Sequence, residues 1–198
     1  MSEVAIAAGE ANETAKYRFA IDTRASRFTV RAFATGIMSA MGHDPTIGIR
    51  DFSGEMTFDP EKVKASTFQL SIKSSSLSVQ DDISDKDRRE MERLMNEQVL
   101  EVSQFPLIRY QAPSISVTKM EGTLYSATLD GRLTFHGVTR NESVTARVAL
   151  VGTMLRASGE FSLSQSNYGI KPVSVAGGAL RLKDELKLSF EIVARRQE

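Results

Sequence analysis

The sequence has 198 residues, 25 basic and 25 acidic side chains, and a formal net charge of +0. This balance does not indicate a nucleic-acid footprint, and no nucleic-acid partner is expected. The chain has no cysteine, which excludes disulfides, thiolate metal ligands and cysteine nucleophiles.

Residues 1–16 are polar and are predicted to form a flexible tail, followed by a single domain over residues 17–198. The tail lacks the basic start and the continuous apolar core of a secretory signal. No apolar run approaches the ~20 residues of a membrane helix, so the chain is not expected to span a membrane. A cytoplasmic location is expected from the sequence as it stands, and a periplasmic one if its original N-terminus had been replaced.

The first third of the domain alternates apolar and polar residues, the period of a half-buried strand. Strands are predicted over Tyr17 to Asp22, Phe28 to Ala34 and Ile47 to Phe58. Gly54 within the third strand indicates a bend or a close approach of backbone. Between the second and third strands, the apolar segment Thr35 to Pro45 is predicted to form a flap across an opening.

One segment has helical spacing. Ser84 to Val99 places Met91, Leu94 and Met95 at steps of three and four residues, and Ser84 or Asp85 is suited to cap its start. Its apolar stripe is narrow and its other faces are charged, so the helix is predicted to lie on the surface of the sheet or over a barrel mouth.

The remaining chain returns to period two around a predicted hairpin, Asp130 to Leu150, that turns at His136-Gly137. Further strands are predicted over Phe68 to Lys73, Leu107 to Val117, Leu124 to Phe135, Leu155 to Leu163 and Leu186 to Ile192, with a loop over Ser164 to Gly178.

These elements predict a mainly β fold: one antiparallel barrel of about eight strands with one surface helix. Closure would remove the unpaired edges and the exposed apolar face of an open sheet. The inferred inner face mixes aromatic residues with small ones such as Ala146, Ala157 and Gly159. Small residues can leave space for a ligand or relieve crowding, so a hollow and a filled barrel both stay open.

Four segments occur in an order that resembles a known family. They are Asp51-Phe52-Ser53-Gly54 through Phe58-Asp59, the helix leading to Phe105-Pro106, Gly131 to Thr139 (GRLTFHGVT), and Ser166 to Ile170 (SNYGI). Together they resemble the YceI-like lipid- and polyisoprenoid-binding family from Tyr17 to Ala194.

The resemblance implies a lipocalin-like barrel with a helix beside it and a tunnel for a long apolar chain. The implied partner is an amphiphilic lipid such as an isoprenoid or isoprenoid quinone, bound for sequestration or transport by a non-enzymatic protein. Family members are often periplasmic or secreted, and some are thought to dimerise, so a homodimer is also expected. Gly42 to Pro45 (GHDP) matches a subgroup whose ligand is less settled.

The predicted ligand-binding residues are inward-facing side chains, methionines suited to a flexible mouth, and two polar residues that could meet a head group. They are Phe28, Val30, Met38, Met41, His43, Leu70, Ile72, Met91, Met95, Tyr110, Leu133, Phe135, Phe161 and Tyr168. No catalytic residue, metal ligand or cofactor other than a bound lipid is predicted.

Two other functions stay open. One is an enzyme that uses His43 and Asp44 on a small hydrophobic substrate, and the other is a structural or assembly module with a filled core. His136 is predicted to be structural within its turn, since the two histidines lack the spacing of a metal site. Tyr168 and Lys171 are expected either at a head group or in a solvated loop.

Overall fold

The structure, a computed structural model, describes residues 16–35, 44–59, 62–175 and 180–198. Fourteen strands and one α-helix form within these ranges. The strands are β1 (Tyr17–Ile21), β2 (Arg27–Arg31), β3 (Ala34–Thr35), β4 (Thr46–Ile49), β5 (Phe52–Phe58), β6 (Thr67–Lys73), β7 (Leu77–Val79), β8 (Leu107–Lys119), β9 (Leu124–Phe135), β10 (Val138–Val151), β11 (Met154–Ser164), β12 (Ser174–Val175), β13 (Leu180–Leu182) and β14 (Glu185–Arg196). The helix α1 spans Asp85–Leu94 and continues as a π-helical turn over Met95–Val99.

Eight antiparallel strands close into a barrel in the order β1-β5-β6-β8-β9-β10-β11-β14, and pairing of β14 with β1 completes the ring. The predicted barrel of about eight strands with one helix is therefore confirmed. At one end, β2 takes the place of β1 beside β14 and is followed by β4 and β7. A small sheet of β12, β13 and β3 is formed separately.

The two ends of the barrel differ. The helix end carries α1, β4, β7 and the β9–β10 turn, whereas the hairpin end carries the tips of the β8–β9 and β10–β11 hairpins. Between the ends, inward side chains alternate with outward ones along each strand, as the pleat requires. No helix in the described ranges has both the length and the apolar character needed to cross a membrane.

The helix covers the free edge of β7. The Ser84 hydroxyl caps its first turn by accepting a hydrogen bond from Asp87 N at 3.1 Å, as predicted. Glu92 Oε1 accepts from Val79 N at 3.0 Å, and the Arg88 guanidinium donates to the carbonyls of Val79 and Asp81. An unpaired strand edge exposes backbone donors and acceptors. The Arg88 and Glu92 side chains supply the hydrogen bonds that a neighbouring strand would otherwise make.

One local prediction was wrong, and one short strand was missed. Ile47 to Phe58 is not one strand, because the chain breaks at Arg50-Asp51 into β4 and β5, which occupy different parts of the sheet. The short strand β7 after Ser76 was not predicted, because three residues are too few to show a period. Gly54 does mark a close approach: an added Cβ would lie 2.6 Å from Ile21 Cδ1.

Candidate functional site: an apolar cavity inside the barrel

A cavity of about 630 Å³ lies inside the barrel and extends between its two ends. Nearly all of its wall is aliphatic or aromatic, since the inward positions of all eight barrel strands are apolar along most of their length. From the helix end, Met91, Leu94 and Met95 contribute to the same wall. The volume falls within the range of about 300–1,000 Å³ that is typical of small-molecule sites.

Most of the predicted ligand-binding residues lie on this wall. They are Phe28, Val30, Leu70, Ile72, Met91, Met95, Tyr110, Leu133, Phe135 and Phe161. Met38, Met41 and His43, with most of the predicted flap, lie outside the described residues. That the wall residues bind a ligand stays a prediction.

Small residues on the inner face serve two purposes. Ala32, Ala146 and Ala157 line the cavity, where a larger side chain would take up volume. Gly131 instead makes room for a neighbour, because an added Cβ would lie 2.5 Å from Cζ and from the hydroxyl of Tyr110. Gly159 does the same for Phe190, whose Cζ would lie 2.6 Å from an added Cβ. Both uses considered from the sequence occur in the same barrel.

Tyr110 lines the wall, and its hydroxyl is hydrogen-bonded to protein. It lies 2.8 Å from the Leu129 carbonyl and 3.0 Å from the Glu142 carbonyl, two acceptors that share its proton. Burial, followed by the nearby charges of Asp130 and Glu142, raises the pKa of Tyr110 to about 12. The side chain therefore presents its ring to the cavity and keeps its hydroxyl in the barrel wall.

Tyr168 is not solvated, so that expectation was wrong, and it does not line the described cavity; its contact with a head group stays a prediction. It is fully buried, its ring lies 5.5 Å from that of Phe135, and its hydroxyl donates to Glu142 Oε1 at 2.7 Å. Burial and this hydrogen bond raise the pKa of Tyr168 above its ordinary value. Lys171, by contrast, is exposed. Tyr168 thus packs the loop that carries it against Phe135 and Glu142 of the barrel wall.

His136 has a structural role, as its turn position predicted. It occupies the first position of a two-residue turn with φ of 49°, followed by Gly137 at 73°. Its Nε2 lies 2.7 Å from Glu101 Oε2, its Nδ1 lies 3.2 Å from the Tyr168 carbonyl, and Phe105 packs against the ring. Both nitrogens face acceptors, so the ring joins three loops at the helix end.

The Asp44 carboxylate also makes contacts within the protein. Its Oδ1 accepts a hydrogen bond from Ala34 N at 2.9 Å, and its Oδ2 lies 3.8 Å from the Arg31 guanidinium. Within the described ranges, no three His, Asp or Glu side chains are grouped so that they could hold a metal ion. The wall of the cavity offers mainly apolar contact.

The comparisons with known proteins agree with this architecture. A family model described as "YceI-like domain" matches residues 19–194. Among curated proteins, none matches the chain.

Three solved structures share the fold at low sequence identity. BcnA of Burkholderia cenocepacia is 19% identical with a TM-score of 0.64, and the alignment covers 87% of this chain and 98% of that one. A polyisoprenoid-binding domain from Saccharophagus degradans, implicated in plant cell wall breakdown, is 14% identical with a TM-score of 0.66, covering 90% and 98%. A YceI protein of Campylobacter jejuni is 16% identical with a TM-score of 0.54, covering 77% and 85%.

Proposed function

The chain belongs to the YceI-like family, and on that premise we propose that it binds a long-chain isoprenoid or a related amphiphilic lipid inside its barrel, for sequestration or transport. The observation that carries this proposal is the continuous apolar wall around about 630 Å³. An apolar chain entering such a cavity gains about 25 cal/mol for each Å² removed from water.

The size of the cavity sets the class of ligand. An apolar cavity of about 150 Å³ admits benzene, which has six carbons. A cavity about four times as large corresponds to a ligand on the order of 25 carbons, provided that its chain is flexible enough to follow the tube. This size favours an isoprenoid or fatty chain over a compact small molecule.

A non-enzymatic role is part of the proposal. Contact with an apolar chain needs no acid, base or nucleophile, and the Tyr110 hydroxyl at the cavity wall is hydrogen-bonded to backbone carbonyls of the protein. The alternative enzyme needed Asp44 in partnership with His43, but the Asp44 carboxylate is held by Ala34 N and faces Arg31. The filled-barrel module is disfavoured by the size of the cavity. The homodimer and the compartment stay predictions.

A cavity-filling variant tests the proposal. Ala157 lies on the cavity wall of β11, whereas Ala149 on the neighbouring strand has the opposite side-chain direction and faces outward. Ala157→Phe is expected to reduce uptake of a fluorescent farnesyl-chain probe at least tenfold, because the added ring takes cavity volume. Ala149→Phe is the matched control and is expected to bind as the parent does. Equal uptake by both variants, with both folded by circular dichroism, would overturn binding in this cavity.

A further inference from the structure

Exposed apolar side chains are concentrated at the hairpin end. Of the six large hydrophobic residues that are exposed in the described ranges, five are there: Val117, Met120, Leu124, Leu150 and Val151, between 39% and 59% exposed. The sixth, Leu107, starts β8 at the helix end. We name the five residues the apolar collar.

The strand registers bring the collar together. Lys119 pairs with Tyr125 at the β8–β9 tip, Leu124 pairs with Ala149 across β9 and β10, and Val151 pairs with Met154 at the β10–β11 tip. The two tips therefore stand side by side on adjacent strands. Leu124 and Val151 lie on the outer face of these strands and Val117 and Leu150 on the inner face, so apolar side chains border both faces at this end.

The apolar collar is continuous with the cavity. Val117 and Leu150 line the cavity, yet 40% of Val117 and 39% of Leu150 is exposed to solvent. Side chains that line the cavity and are also exposed mark its rim. The apolar wall of the cavity therefore continues to the protein surface at the hairpin end. An apolar ligand that crosses this rim passes from one apolar surface to another.

A basic ring surrounds the apolar collar. The described strand ends and loops of the hairpin end (16–18, 57–59, 62–67, 117–125, 149–156 and 194–198) carry eight Lys and Arg against three Asp and Glu, in a chain of formal net charge +0. The basic ring comprises Lys16, Arg18, Lys62, Lys64, Lys119, Arg156, Arg195 and Arg196, all exposed.

The basic ring is largely unneutralised. Arg195 pairs with Asp22 at 2.9 Å, and the Arg196 guanidinium stacks 3.8 Å from the ring centroid of Tyr17. No ion pair within the described ranges engages Lys64, Lys119 or Arg156. An excess of exposed basic residues therefore surrounds the apolar rim, the combination that attracts anionic lipid head groups and then buries apolar side chains among them.

We propose that the hairpin end docks on an anionic lipid surface, with the apolar collar entering the head-group region and the basic ring contacting lipid phosphates. This inference rests on the proposed function, because it supplies the route by which a lipid enters or leaves the barrel. A second copy of the chain fits the same face poorly, since a two-fold contact would set one basic ring against another.

Vesicle co-sedimentation of the full chain tests the docking. The parent is expected to bind vesicles of phosphatidylcholine mixed with phosphatidylglycerol, to bind pure phosphatidylcholine far less, and to lose binding as salt is added. The triple variant Lys64→Gln, Lys119→Gln, Arg156→Gln is expected to lower partitioning roughly a hundredfold, at about fivefold for each cation removed. The matched control, Lys86→Gln, Arg89→Gln, Arg109→Gln, removes exposed cations elsewhere and is expected to bind as the parent does.

A second pair of variants tests the apolar contribution. Leu124→Ser with Val151→Ser is expected to reduce partitioning about tenfold, whereas Leu107→Ser at the helix end is expected to leave it unchanged. Uptake of the farnesyl-chain probe in vesicle-free solution, measured on every variant, separates the two proposals. Probe uptake without vesicle binding overturns the docking alone, and absence of probe uptake overturns the proposed function itself.

Three further results would also overturn the docking. The first is equal partitioning into both lipid mixtures, and the second is an equal loss of vesicle binding in the control triple variant. The third is a dimer, detected by light scattering, that becomes a monomer in the variant Leu124→Ser with Val151→Ser. The last result would assign the apolar collar to a second copy of the chain.

Discussion

Among individual residues, Tyr110 links neighbouring strands of the barrel through its side-chain hydroxyl. Its hydroxyl donates to the carbonyls of Leu129 on β9 and Glu142 on β10, and Gly131 on β9, which pairs with Glu142, leaves room for the ring. The ring itself lines the cavity. One side chain thus fixes the strand spacing and keeps a polar group out of the apolar wall.

Tyr110→Phe is expected to cost about 1 kcal/mol of unfolding free energy, because two half-buried carbonyls lose a donor. Urea denaturation measures it. Tyr125→Phe is the control, since Tyr125 also lines the cavity but its hydroxyl makes no hydrogen bond within the described residues. An equal loss in both variants would contradict the bracing role.

The same tyrosine gives a pH dependence. Because burial raises the pKa of Tyr110 to about 12 while the unfolded phenol ionises near pH 10, its contribution is complete below about pH 10. The contribution is then lost as pH rises towards 12. Denaturation midpoints of the parent should therefore fall more steeply over this window than those of Tyr110→Phe. Parallel pH profiles would contradict the prediction.

Gly131→Ala is expected to destabilise the fold by about 1–3 kcal/mol, since the new methyl group would overlap the Tyr110 ring. In Gly48→Ala the added Cβ meets only the flexible Gln80 side chain, so the loss should be smaller. Thermal denaturation of both variants compares them. A larger loss at Gly48 would show that strand glycines act through the backbone here.

At the scale of elements, α1 is both a cover for β7 and part of the cavity wall. Arg88 and Glu92 bond it to the β7 edge, while Met91 and Leu94 line the cavity. An element held by a few side chains over an apolar cavity is suited to local opening, because it opens without disturbing the barrel ladder.

Arg88→Met is expected to speed amide hydrogen exchange across residues 85–99 while leaving the barrel strands protected. The lost donors to the carbonyls of Val79 and Asp81 are the physical reason. Arg89→Met, one position along and exposed, is the matched control. Faster exchange throughout the barrel in Arg88→Met would instead indicate global destabilisation.

The elements also show what sequence can predict. Period-two alternation placed the long strands, and a capping serine with helical spacing placed α1, because both signals are local. The break at Arg50-Asp51 and the burial of Tyr168 depend on partners distant in sequence, so no local pattern predicted them. The apolar collar was missed for the same reason: Val117 and Leu150 alternate as ordinary strand residues, and only the barrel register places them at a rim.

At the scale of the whole molecule, the formal net charge is +0, but basic and apolar residues are unevenly distributed over its surface. An apolar cavity runs along the barrel, the helix α1 lies at one end, and exposed basic residues surround the apolar rim of the other. Under the proposed function and docking, this difference between the two ends would set the direction of lipid entry. The net charge of +0 does not indicate this difference between the ends, which becomes visible only from the strand registers.

The most direct test of the central claim is native mass spectrometry of the protein purified without detergent from its own host, followed by organic extraction of the bound material. We expect one amphiphile with a long apolar chain in each barrel, and a lower occupancy in Ala157→Phe than in Ala149→Phe. Recovery of the bare chain, together with no uptake of the farnesyl-chain probe, would contradict the account.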